Sequence, residues 1–154
     1  MAKFPTTVEE SVTVGAPMEN VYAFLWDVVG SSRCIPGIDH CRSVGADTFE
    51  FLYKPRSTGP ITMVVRYTAR YQGNGRDNIR FVGVSAAEDN TDVEGTLALK
   101  PKGPGTTVTL TQTLAPDTPV PRLLQSLIRS FVEAETAQAM RDYLLNVRST
   151  IEKA

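Results

Sequence analysis

PRLLQSLIRSFVEAETAQAMRDYLLNVRSTIE, Pro121 to Glu152, is the segment on which the reading of this chain turns. Apolar residues recur in it at three- and four-residue intervals, and neither Gly nor Pro follows Pro121 before its end, which predicts one helix. Thr118, Pro119 and Pro121 form the entry, because a proline in the first turn gives up no intrahelical hydrogen bond. At ~1.5 Å per residue the rod runs about 45 Å, longer than most helices of soluble domains, and needs a wide surface to lie on.

Its apolar stripe migrates. Leu123, Leu124, Leu127, Ile128 and Phe131 share one side, while Met140, Leu144, Val147 and Ile151 share another well round from it. Drift of ~20° per heptad explains only part of that rotation. Two surfaces are expected: either both pack on the protein's own core through different neighbours, or one half meets a ligand, a partner or a membrane. Continuing the first stripe brings Glu135, Gln138 and Asp142 onto the side of Leu124 and Ile128. These groups are either solvated or, for Glu135 and Gln138, part of a pocket wall, where a buried carboxylate needs a partner or stays neutral. Leu124, Leu127 and Ile128 form the candidate surface for a homo-oligomer or a partner enzyme.

A chain of 154 residues is expected to be a single domain, 1–154, able to bury a core without staples. Its formal charge of -1 supplies no field to gather nucleic acid, so no nucleic-acid partner is expected. Met1 to Glu10 lacks the apolar run of an export signal, and the apolar stretch Val21 to Val29 is interrupted by Asp27 and too short to span a bilayer. A soluble cytoplasmic protein is the expectation. Cys34 and Cys41 with His40 between them fit neither a redox C-x-x-C nor a zinc pattern, so reduced thiols and no metal are expected.

The rest of the chain is strand-rich. Thr6 to Val14 alternates as a half-buried strand, with Glu10 breaking its apolar face near a sheet edge. Pro17 opens a helix carrying Val21, Phe24, Leu25 and Val28, which Gly30-Ser31-Ser32 ends; a short second helix or turn covers Arg33 to Ile38. Strands are predicted weakly at Arg42 to Val44, then at Thr48 to Lys54, in one long run from Ile61 to Tyr71, at Asn78 to Ala86, at Thr91 to Leu99, and over Thr107 to Leu114, where Gln112 is a polar exception on an apolar face. Gly73-Asn74-Gly75 reads as a hairpin turn. Asp92 and Glu94 are placed to face Arg66, Arg70 or Arg80 on the wet side. This order predicts an α+β fold, a curved antiparallel sheet of about seven strands gripping the long C-terminal helix, with two short helices after the first strand. A straight rod over a curved sheet leaves a gap, a candidate cavity of ~300 to 1,000 Å³.

That layout resembles the START-like, helix-grip (SRPBCC) superfamily of Bet v 1 allergens, polyketide cyclases and lipid-transfer domains. More narrowly, A-P-M-E-N-V-Y-A-F-L at Ala16 to Leu25, R-C-I-P-G at Arg33 to Gly37, G-P-I at Gly59 to Ile61, and the later E-G-T-L-A-L and G-T-T-V-T-L are similar to the carbon monoxide dehydrogenase G family. The resemblance implies a domain that holds a hydrophobic molecule such as a lipid or quinone, in association with a redox enzyme or a membrane surface. The chain ends at Ala154, directly after the helix, so membrane contact is expected to be peripheral at most.

Catalysis needs positioned groups of matched pKa, and candidates are few. His40, the one histidine, falls in the turn after Gly37 and is expected to be exposed, so no catalytic residue and no cofactor are assigned. The favoured expectation is a carrier of a small hydrophobic ligand, its pocket lined by Phe51, Tyr53, Met63, Tyr67, Phe81, Leu97 and Phe131, with Gln112 and Glu135 meeting the ligand's oxygen atoms. The alternatives are a polyketide cyclase or dehydratase using Glu135 with Tyr67 or Gln112, where orienting a flexible substrate supplies much of the rate, and an assembly module with a filled core.

Overall fold

Apolar alternation and short Gly-containing turns produce the elements in this order: β1 (Ala2–Lys3), β2 (Thr6–Val14), α1 (Met18–Trp26), α2 (Val28–Ser31), a 3₁₀ turn (Ser32–Cys34), β3 (Ile38–Gly45), β4 (Thr48–Tyr53), β5 (Arg56–Thr58), β6 (Ile61–Met63), β7 (Arg66–Gly73), β8 (Asn78–Gly83), β9 (Thr91–Lys102), β10 (Gly105–Thr118), a second 3₁₀ turn (Arg122–Leu124) and α3 (Gln125–Glu152). The computed structural model describes every residue except 1, 4, 59, 60 and 119–121, and leaves the side chains of residues 2, 3, 58, 61, 63, 118, 122 and 128 undescribed. The main sheet runs β3-β4-β7-β8-β9-β10-β2, seven strands paired antiparallel throughout, with the two-residue β1 also on β10. The predicted α+β architecture is the one observed.

The long helix grips the sheet with its second half. Met140, Leu144 and Val147 are buried there at intervals of three and four, Leu144 and Val147 at 1% and 0% exposure, while Val132 and Thr136 continue the same buried stripe into the first half. Each apolar side chain so covered contributes about 1.5–3 kcal/mol relative to leaving it in water. Polar pins then set the helix's rotation. Arg141 Nη1 donates to Glu10 Oε1 at 2.7 Å, Asn146 Nδ2 to the Cys34 carbonyl at 2.9 Å, and the Gly15 amide to Glu152 Oε2 at 2.7 Å. Glu10 thus sits on the sheet's inner side at edge strand β2 because α3 brings it a guanidinium. The first stripe behaves differently: Leu123 and Leu127 are 95% and 69% exposed, Leu124 is 37% exposed, and the side chain of Ile128 lies outside the described residues. Gln138 and Asp142 hydrogen-bond to each other at 2.9 Å away from the core.

Three local expectations are corrected. The first helix ends at Trp26, before the Gly30 stop, because Asp27 leaves helical geometry (φ -75°, ψ 79°) and its carboxylate accepts from the Gly30 amide to cap α2. The single long strand from Ile61 to Tyr71 is broken at Val64 and Val65: β6 turns off to pair with β5, and Asn90 holds the break, its Oδ1 accepting from the Arg66 amide and its Nδ2 donating to the Val64 carbonyl. His40 lies in β3 and not in the turn after Gly37, though exposed as expected, with Nδ1 3.3 Å from Asp39 Oδ2. On the outer face Arg66 pairs with Glu50 and Glu88 at 2.9 Å, and its Nε lies 3.8 Å from Asp89.

Glu50 anchors that outer network, accepting from Arg42 Nε and Arg66 Nη2 at 2.9 Å each with its side chain 10% exposed. Burial works to raise its pKa; hydrogen bonds from Arg42, Arg66 and His40, with the Arg42 charge, outweigh burial and hold it below the ordinary value of 4.5. A depressed folded pKa means that this stability is present above the unfolded value and is lost as pH falls through the folded one. Glu50→Gln is therefore expected to lower stability at neutral pH by about 1.5–3 kcal/mol and to flatten the loss on acidification. Urea midpoints of both proteins at neutral and acidic pH check this; parallel acid limbs would refute it.

Candidate functional site

The site is built from a row of aromatic residues on the inner face. Strand register places Phe51 of β4 opposite Tyr67 of β7, and Tyr71 of β7 opposite Phe81 of β8. Those cross-strand pairs stack, with ring centroids 4.9 Å and 5.4 Å apart, and Tyr53 adds a further ring 5.9 Å from Tyr67. Gly95 of β9, opposite Phe81, is what lets this row lie flat: a Cβ there would stand 2.5 Å from the Phe81 ring and from the Thr111 carbonyl oxygen. Over the row, the first half of α3 stands off from the sheet and encloses a cavity of about 210 Å³ with α1, α2 and the Ile35-Pro36-Gly37 turn. Gly37 needs its freedom here, since it takes φ +76°.

The cavity is smaller than expected because these rings project into it. Of the residues singled out from the sequence, Tyr53, Tyr67, Phe81, Leu97, Gln112, Phe131 and Glu135 come together on its wall. Phe51 does not: it is 1% exposed and lies behind the wall, stacked on Tyr67. Met63 is on the β5–β6 hairpin, and its side chain lies outside the described residues. Gln138 faces away from the cavity. Sequence reasoning overlooked Tyr71, Leu110 and Tyr143. Tyr71 shares the alternating face of Tyr67, and Tyr143 falls on the Thr136-Met140-Val147 spacing, so both carried a usable signal. Ser31, Ser32 and Arg56 carried none, because only the folding of α2, the 3₁₀ turn after it and β5 brings them to the wall.

The interior is apolar with neutral hydrogen-bonding groups. The Tyr53 and Tyr67 hydroxyls lie 3.0 Å apart, and Gln112, opposite Gly95 and Val8, brings an amide to the same wall. Burial pushes the Tyr53 phenol up to about 12, with the Tyr67 hydrogen bond drawing it partly back. Burial also raises Tyr67 and Tyr71, and neighbouring phenols raise them further. Tyr143 moves the same way for the same first reason. At neutral pH these hydroxyls can donate or accept, and they do not supply a phenolate base. The charged lining is confined to the mouth, where Lys54 and Arg56 are exposed and Arg56 Nη2 pairs with Glu135 Oε2. Cys34 and Cys41 are free thiols, both raised chiefly by burial, Cys41 to about 11. No three His, Cys, Asp or Glu side chains converge on a metal position among the described residues. No helix among them is long and apolar enough to cross a membrane.

An antiparallel sheet closed by a C-terminal helix over an apolar cavity defines a START-like, helix-grip protein. The chain belongs to the family described as polyketide cyclase / dehydrase and lipid transport, which it matches over residues 5–152. Its fold is similar to that of a conserved protein from Geobacillus kaustophilus (TM-score 0.72, 16% identity, 96% of this chain and 95% of that one). It is also similar to a START superfamily protein from Mycobacterium smegmatis (0.69, 15%, 96% and 97%) and to the Zhui aromatase/cyclase from a Streptomyces species (0.68, 18%, 97% and 94%). No curated protein matches the sequence. The narrower likeness to the carbon monoxide dehydrogenase G family rests on the sequence motifs alone.

A raised phenol pKa stabilises the fold below the unfolded value, and that contribution is lost as pH rises through the folded one. Tyr53 is therefore expected to stay un-ionised until about 12, and Tyr67, Tyr71 and Tyr143 likewise to resist ionisation past the ordinary value of 10, all titrating together with alkaline unfolding. Phenolate absorbance recorded alongside circular dichroism checks it; four phenols ionising near 10 in the folded protein would contradict the buried wall.

Proposed function

We propose that this protein binds and carries a small hydrophobic molecule, of lipid, quinone or polyketide-like character, in the cavity between the sheet and α3. The observation that carries the reading is the combination of an apolar cavity with few, neutral polar groups inside it. Such a wall holds a ligand by burial, at ~25 cal/mol per Å² of apolar surface, and lets one or two hydrogen bonds set its orientation. The Tyr53–Tyr67 hydroxyl pair and the Gln112 amide are the groups that would meet ligand oxygen atoms. Membership of a family whose description includes lipid transport supports the same reading.

A second reading, a cyclase or dehydratase acting on a polyketide-like substrate, draws on the same hydroxyl pair, which could hold a substrate carbonyl while the aromatic row folds the chain around it. It asks for a proton acceptor beside the reacting carbon. Glu135, the one carboxylate of the lining among the described residues, is at the mouth and engaged by Arg56. The carrier reading asks for nothing the wall lacks.

Native mass spectrometry of freshly purified protein, with solvent extraction of whatever leaves with it, tests the proposal directly. A discrete bound hydrophobic molecule, or saturable uptake of a neutral dye such as N-phenyl-1-naphthylamine, is expected. Phe81→Trp should weaken uptake by about five-fold or more, since overpacking a wall with added ring volume costs about 1–3 kcal/mol, and Gln112→Leu should erase any preference for oxygenated ligands over hydrocarbons of equal size. Identical binding by both variants, or no uptake at all, would sink the carrier reading.

A further inference from the structure

The cavity's mouth is chemically unlike its interior. Exposed lining residues cluster at Gly37, Lys54 and Arg56, and the Lys54 amide is tied to the Gly37 carbonyl at 2.9 Å, so this rim is one structural unit. Among the described residues, every charge in the lining is at this end: the cations of Lys54 and Arg56, and the carboxylate of Glu135. The balance is one positive charge in excess. The Arg56 and Glu135 side chains are 67% and 35% exposed, so their ion pair crosses the entrance from the β5–β6 hairpin to α3 with water on both sides. A pair of that exposure contributes only ~0–1 kcal/mol, and opening it costs correspondingly little.

These features together name a ligand class. We propose that the preferred ligand is a carboxylate-bearing amphiphile, its tail among the aromatic rings and its carboxylate on Arg56 at the mouth, taking the place of Glu135. The inference rests on the carrier reading and specifies the head group that reading leaves open. A guanidinium offers a planar fork that fits a carboxylate, and Arg56 already holds one. Exchange substitutes one carboxylate for another without leaving Arg56 unpaired, and it frees Glu135 to turn to solvent, which it already partly reaches. Lys54 then balances the second negative charge, so the rim that carries an excess positive charge when empty becomes neutral when filled. A cationic amphiphile would meet Lys54 and Arg56 with like charge, and a neutral one would leave the Arg56–Glu135 pair across its path.

Three ligands of one tail length separate the possibilities: decanoate, decan-1-ol and decyltrimethylammonium, each displacing N-phenyl-1-naphthylamine from the full chain at neutral pH and low ionic strength. Decanoate is expected to bind about three- to ten-fold more tightly than decan-1-ol, and decyltrimethylammonium more weakly than either. Raised salt should shrink the decanoate advantage. Arg56→Gln should remove most of it and Lys54→Gln part of it, while Glu135→Gln should enlarge it by a similar factor, because the competing carboxylate is gone. All three substitutions are at exposed or half-exposed positions, and circular dichroism checks that each variant is folded. If the dye binds but the three ligands do not discriminate, or Glu135→Gln lowers the decanoate advantage, the head-group inference is overturned and the carrier reading stands. If the folded protein takes up neither dye nor any of the three ligands, both fall.

Discussion

Everything in this molecule depends on how one straight helix meets one curved sheet. The inner face is made continuous by seven antiparallel strands whose inward residues are nearly all apolar, and it must be covered. Only α3 is long enough to do it. A rod cannot follow the curve along its whole length, so contact is concentrated where Met140, Leu144 and Val147 are buried and the pins from Glu10, Gly15 and Cys34 act. Toward its start the helix stands away, and the apolar surface left uncovered there becomes the cavity wall. Cavity and grip are thus two results of the same mismatch in shape.

The wall resolves the resulting conflict between burial and polarity with neutral groups. Aromatic side chains cover much area while ending in a hydroxyl, so Tyr53 and Tyr67 can face an apolar space and satisfy each other. Charge is excluded from the interior and kept at the rim, where water screens Lys54, Arg56 and Glu135. On the outer face the reverse applies. Glu50 is nearly covered yet stays ionised because Arg42 and Arg66 bond it directly, and Arg66 in turn ties β4 and β7 to the segment before β9.

Much of this was legible in the chain. Alternation located β2, β4, β8, β9 and β10 to within a few residues, since period-two burial on one face leaves a direct imprint. Seven of the nine proposed wall residues do line the cavity, because an inward-facing aromatic on a strand under a helix has few other places to be. The misses share a cause. Ile61 to Tyr71 alternates without a flaw, and what splits it is the Asn90 side chain, which is distant in sequence and carries no periodic signal. Asp27 ends α1 through a capping bond that competes with a run of apolar residues that would otherwise extend the helix. Phe51 was placed on the wall because alternation tells which side of the sheet a residue faces, while its depth is decided by Tyr67 stacking over it.

The sequence by itself determined the α+β class, the order of elements, the inner and outer faces of the strands and the length of α3, all of which are set by local periodicity and turn chemistry. Tertiary structure alone decided the rest: the cavity's volume, the contact between Arg56 and Glu135, the place of Ser31 and Ser32 on the wall, and the freedom of Leu123 and Leu127 from the core. Each of these depends on where two segments far apart in the chain come to rest against each other. Side-chain volume and helix tilt settle that jointly, and neither leaves a pattern in a single stretch of residues.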